Sequence, residues 1–141
     1  MIDFSIVLPV DWRTNPPAAW ARIDAVQSDL GILFPDEFVE FLLWSDGGEG
    51  YVSRCYLAIW EIEEMAALNR DYEIGKWIPG LVGFGSDGGG QCYAFDYRAG
   101  RERPTVVRVP YGDLDSESVV KIGADFLDAV NRMKTGEVEP G

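Results

Sequence analysis

Apolar positions along this chain follow two periods. From Leu81 to Tyr97, LVGFGSDGGGQCYAFDY, two apolar and β-prone runs flank a turn at Ser86-Asp87-Gly88-Gly89-Gly90. Glycine reaches positive φ without steric penalty, which a tight reversal between antiparallel strands requires. After the turn, Tyr93, Phe95 and Tyr97 alternate with Cys92, Ala94 and Asp96, the period of a strand with unlike faces. The pattern predicts a central hairpin whose aromatic series faces the core.

Elsewhere the spacing is helical. Ala19, Ile23, Val26 and Leu30 line one face of a helix started by Thr14-Asn15-Pro16-Pro17 and ended at Gly31. A second helix opens at Pro35-Asp36-Glu37, carries Phe38, Phe41 and Leu42 as its apolar stripe, and stops at Gly47-Gly48. Asp36, Glu37 and Glu40 are expected to face water. Tyr51–Trp60 reads as one or two strands, with Tyr56–Trp60 the stronger segment, and Ile62–Asn69 as a short helix packing through Ile62, Met65, Ala66 and Leu68. Asp71–Gly80 reads as a connector with turns at Gly75 and Pro79-Gly80.

Beyond the hairpin, Arg98–Pro104 is a charged turn and Thr105–Val109 a strand stopped by Pro110. Val119–Ile122 suits a short strand or the first turn of the last helix; the strand is favoured. Asp125 then serves as N-cap for a helix on Phe126, Val130 and Met133, ending near Gly136. Met1–Trp12, with its apolar run Phe4–Leu8, is expected to be an extended arm, and Glu137–Gly141 a frayed tail. The sum is an α+β fold: a mainly antiparallel sheet with a central glycine-rich hairpin, packed against N-terminal and C-terminal helices. No internal repeat, low-complexity segment or linker interrupts it, so residues 1–141 are read as a single domain.

Composition narrows the class. The 141 residues are 47% hydrophobic and 13% aromatic, which suits a packed globule rather than an acidic tail. The net charge of −12 repels phosphate backbones and anionic lipid, so neither nucleic acid nor membrane is an expected partner. It attracts basic partners, although the same balance is common in plain soluble proteins. Cys55 and Cys92 have no metal-type spacing, and Met1–Trp12 carries no cationic and apolar leader. Reduced thiols in the cytoplasm are therefore expected. No run approaches the length of a membrane span.

Catalytic equipment is lacking at this level. A phosphate-cradling loop needs a helix N-terminus or a lysine behind it, whereas a strand follows Gly88–Gly90 and Asp87 stands beside them. Asp46, Glu49, Glu61, Glu63 and Glu64 do not fit a calcium loop and read as solvated helix ends. The chain has no histidine, the commonest general base and zinc ligand. Cys92, inside a strand, reads as a small buried hydrophobe, and no serine sits in a nucleophile elbow. No catalytic residue, metal or cofactor is expected. Of the five tryptophans, Trp44 sits at a helix end, where partial exposure would mark an interaction surface.

Four segments, in order, resemble the SUKH superfamily, which includes the fungal cell-wall-assembly regulators. FPDEFVEFLLWSDGGEG (Phe34–Gly50) is similar to its N-terminal signature, a proline-started helix followed by a polar residue, two glycines and an acid. LAIWEIEEMAALNRDYEIG (Leu57–Gly75) is similar to its strand and helix. IPGLVGFGSDGGGQCYAFDY (Ile78–Tyr97) resembles its glycine hairpin, and KIGADFLDAVNRM (Lys121–Met133) its final helix. The resemblance covers about residues 15–134. Asp125-Phe126 departs from a more usual serine–phenylalanine pair, and Ala129 replaces a second aromatic.

The resemblance implies a non-catalytic protein-binding domain, above all an immunity protein that binds and neutralises a bacterial toxin by occlusion. The expected partner is a basic toxin such as a nuclease. The alternative is a general regulatory interaction module with an endogenous partner; an enzyme using paired carboxylates is set aside. The family's recurrent polar positions correspond to Asp46, Gly48, Glu49, Asp87, Gly88 and Asp96, and these with Trp44 are the candidate partner-binding residues. Each also has a structural reading: turn geometry for the glycines, a cap for Asp46, a loop hydrogen bond for Asp96.

Overall fold

The glycine-rich turn reverses the chain as its composition requires. β4 (Leu81–Ser86) and β5 (Gln91–Asp96) pair antiparallel, from Leu81 opposite Asp96 to Ser86 opposite Cys92. The structure, a computed structural model, describes residues 2–141; Met1, the first residue of the expected arm, lies outside them. Among the described residues, seven strands form one sheet in sequence order, every neighbour antiparallel. β1 (Arg13–Thr14), β2 (Gly48–Val52) and β3 (Cys55–Ile59) lie on one side of the hairpin, and β6 (Thr105–Pro110) and β7 (Val120–Gly123) on the other.

One face of the sheet carries the main core. α2 (Trp20–Leu30), α3 (Asp36–Trp44), α4 (Ile62–Asp71) and α6 (Phe126–Thr135) bring their apolar stripes to it. Phe38 is the hub: its ring centroid lies 5.3 Å from Phe84, 4.9 Å from Phe95 and 5.2 Å from Phe126. These edge-on contacts join α3, the hairpin and α6 through one fully buried side chain. Tyr93, Phe95 and Tyr97 face this core, as the alternation predicted.

The opposite faces of β5 are less unlike than the sequence suggested. Cys92 and Ala94 are fully buried in a second cluster with Ile74, Ile78, Leu81, Val107 and Val109. The cover is α5 (Ile74–Trp77) together with Tyr111, Leu114 and Val119 of the segment between β6 and β7. Thus the connector at Asp71–Gly80 contains a helical turn, with Gly75 inside it and Gly80 alone making the turn at φ 95°.

Other ends also differ. Phe4–Val7 is a one-turn helix, α1, capped by Asp3, because Phe4 and Leu8 have a core to enter; the expected extended arm is not formed there. Arg13 and Thr14 pair with β2, so α2 starts later than expected, at Trp20, without a side-chain cap. Ala19 is exposed and Ala18 buried in its place. The tail is docked rather than frayed: Val138 is buried and its carbonyl accepts from the Cys55 thiol, while Arg108 donates to the carbonyl of Glu139 at 2.6 Å. Gly31 at φ 69° and Gly136 at φ 83° end α2 and α6 as read, and Asp125 caps α6 by accepting from the N–H of Asp128.

Candidate functional site

The seven candidate residues do not gather in one place. Asp46 follows α3, and its Oδ1 accepts from the N–H of Ile62 at 2.7 Å, satisfying a free donor at the start of α4. Gly48, at φ 131°, lies under the indole of Trp12; a Cβ there would stand 2.7 Å from Nε1. Trp44 is half-buried, stacked on Phe4 at 5.7 Å. Asp87 accepts from the N–H groups of Gly89 and Gln91 and so closes the hairpin turn.

Asp96 stands at the other end of β5, about 17 Å away at 3.3 Å per residue. Its carboxylate grips Arg98 with both oxygens, at 2.9 and 2.8 Å, and accepts from the Arg98 N–H. Burial pushes its pKa up, but the hydrogen bonds from Arg98 outweigh this and hold it below the ordinary carboxylate value.

Glu49 and Gly88 are brought together by a residue the sequence reading did not single out, Tyr56. On β2 and β3 the register sets Glu49 opposite Ala58 and Tyr51 opposite Tyr56, all on one face. A Cβ on Gly88 would stand 2.9 Å from the Tyr56 ring, so the turn rests its backbone on that ring. Tyr51, next to last in β2, meets Tyr56 edge-on at 5.0 Å and is 62% exposed. Desolvation, then the Glu49 carboxylate, raise the Tyr56 pKa.

This is the face that α5 and residues 111–119 cover further along the sheet. The cover ends at Trp60, Tyr72 and Tyr111, which stack in that order at 6.5 and 4.4 Å. Between Trp60 and Glu49 the small side chain of Ala58 leaves a cavity of about 480 Å³, also lined by Glu61, Glu64 and Arg13. Arg13 pairs with Glu49 at 3.3 Å. The signal was present in the sequence as alternation of Glu49 with Tyr51 and of Tyr56, Ala58 and Trp60, but two short strands are hard to register without their turn.

Among the described residues, no three acids or cysteines come together in a way that could hold a metal ion. Burial pushes the Cys92 thiol up to about 12, so it stays protonated at neutral pH. The profile of the SMI1 / KNR4 family (SUKH-1) matches residues 17–132. The chain belongs to this family. A search of curated proteins finds no match. The SUKH-1 match takes in the hairpin, Asp46 to Glu49, Tyr51, Tyr56 and most of α6, and leaves out α1, Trp12 and Arg13. No helix among the described residues is long and apolar enough to cross a membrane.

Proposed function

We propose that residues 1–141 act as a single, non-catalytic protein-binding domain, an immunity protein that neutralises a cognate bacterial toxin in the cytoplasm. Membership of the SUKH-1 family supports a domain that binds and does not transform. The observation that carries the reading is the uncovered face at Tyr51 and Tyr56, bordered by Glu49, on a chain of net charge −12. Half-exposed tyrosines beside acids are what a basic macromolecular surface meets well, since rings give area at low entropy and carboxylates give charge complementarity. The partner is a basic toxin such as a nuclease, and inhibition is by occlusion. Glu49, Gly88 and Asp87 stand nearest that contact; Asp46 and Gly48 hold the strand that presents it.

The test is co-expression with the product of the adjacent gene. Rescue of growth, together with a stable complex on gel filtration, is the expected result. Association should slow by about tenfold or more between low and high salt. Failure to rescue from any candidate toxin, with an endogenous protein captured instead, would replace immunity by a regulatory role.

A further inference from the structure

The segment of sheet left open is bounded sharply. On β4 to β6 the same face is sealed by α5 and the segment from Tyr111 to Val119. On β2 and β3 that cover is missing among the described residues: Tyr51, a large aromatic, is 62% exposed, Tyr56 is half-buried with the Gly88 turn against its ring, and Ala58 is half-buried. Both borders are acidic: Glu61 and Glu64 line the cavity over Ala58, and Asp113, Asp115 and Glu117 are exposed on the segment that seals the far side.

One guanidinium already sits there. Arg13, on the two-residue β1, reaches Glu49 while remaining 79% exposed. Such a solvent-exposed pair is weak in water, so it exchanges readily for a better-placed cation. Arg13 shows that a guanidinium fits the carboxylate beside the tyrosine rings, and its exposure shows that this fit is not completed within the chain.

We infer that this open face of β2 and β3 docks an arginine-bearing segment of the partner protein. Tyr51 and Tyr56 supply the stacking surface, Glu49 supplies the ion partner, and Arg13 is the internal stand-in that the incoming arginine displaces. The planar guanidinium suits a carboxylate flanked by aromatic rings better than an ammonium does. This deepens the immunity reading, on which the choice of a protein partner rests.

The experiment uses the full ¹⁵N-labelled chain titrated with a blocked short peptide of alternating glycine and arginine. Its lysine and glutamate counterparts serve as comparisons. Shifts are expected at Glu49, Tyr51, Tyr56 and Ala58, weaker with lysine and absent with glutamate. Tyr51→Ala and Glu49→Gln should each weaken binding about three- to tenfold. Arg13→Ala should tighten it about two- to fivefold by removing the competitor. All three positions are at the surface, and unchanged circular dichroism checks the fold. Shifts elsewhere, no shifts, equal binding of the lysine peptide, or variants that bind as wild type would overturn the inference. The titration needs no toxin. If it fails while rescue succeeds, the face falls and immunity stands; if it succeeds while rescue fails, the reverse holds.

Discussion

The side-chain amide of Asn69 on α4 closes two hydrogen bonds on the backbone of Gly83 in β4. Gly83 N–H donates to Oδ1 at 2.7 Å, and Nδ2 donates to the Gly83 carbonyl at 2.9 Å and to that of Met65 at 2.9 Å. β3 pairs with β4 only at Ala58–Ser86 and Ile59–Gly85 before the chain turns into α4. The amide therefore continues the ladder where the strand has left. Gly83 also needs its missing side chain, since a Cβ would stand 2.8 Å from Ile74 Cδ1.

Asn69→Ala leaves a buried N–H and a buried C=O without partners, so a loss of about 2–4 kcal/mol is expected in urea melts. Asn69→Asp should be worse at neutral pH, because the carboxylate oxygen in place of Nδ2 would face the carbonyls of Gly83 and Met65. A loss below about 1 kcal/mol for both would show that water replaces the amide.

Glu37 belongs to α3 yet caps α6, accepting from the N–H groups of Phe126 at 2.8 Å and Leu127 at 3.3 Å. Burial first, and the nearby Asp125 carboxylate second, raise its pKa above the ordinary value of 4.5, despite the helix N–H groups that favour the anion. A raised pKa means that its contribution is fully present below pH 4.5 and is lost as pH rises through the folded value. Glu37→Gln keeps an acceptor and never ionises. Its stability relative to wild type should therefore improve from pH 4 to pH 7, and Glu37→Ala, which also lacks the ionising group, should lose about 1–2 kcal/mol at pH 4 and less at pH 7. Chemical denaturation at both pH values reads the difference, and a gap that does not widen would contradict the sign.

Asp46 has both a structural and a proposed binding role, and two substitutions separate them. Asp46→Ala removes the acceptor for Ile62 N–H and should cost about 1 kcal/mol. Asp46→Asn keeps an acceptor and should keep most of the stability. If Asp46→Asn also keeps partner affinity, Asp46 is a cap alone; a several-fold drop at unchanged melting temperature would mean that its charge meets the partner.

Both thiols are buried, and burial raises each pKa, that of Cys92 to about 12. Neither should react with a thiol reagent at pH 8 in the folded protein, and both should react in denaturant. Fast native labelling of Cys92 would mean that α5 and the Tyr111 segment open readily.

The central hairpin, the apolar stripe of α3 and both ends of α6 were legible because each depends on neighbours a few residues away. Phe38 and Phe41 at helical spacing, Asp125 before Phe126, and glycines between two β-prone runs act locally. The resemblance on Phe34–Gly50 and the later segments led to the family that the profile match gives. The arm and the tail were misread because a short apolar segment such as Phe4–Leu8, or a single Val138, says nothing of whether a core is within reach.

Alone, then, the sequence determined an antiparallel α+β domain of acidic charge and its family, through periods and turn residues that need no partner. Tertiary structure decided which side of each strand is covered. Cys92 is sealed and Tyr51 is open although both alternate in the same way, because cover comes from α5 and residues 111–119, distant in sequence from β2 and β3. For the same reason Glu37 was expected in water and lies against a helix start 89 residues on. Packing between remote segments sets these positions, and local periodicity carries no record of it.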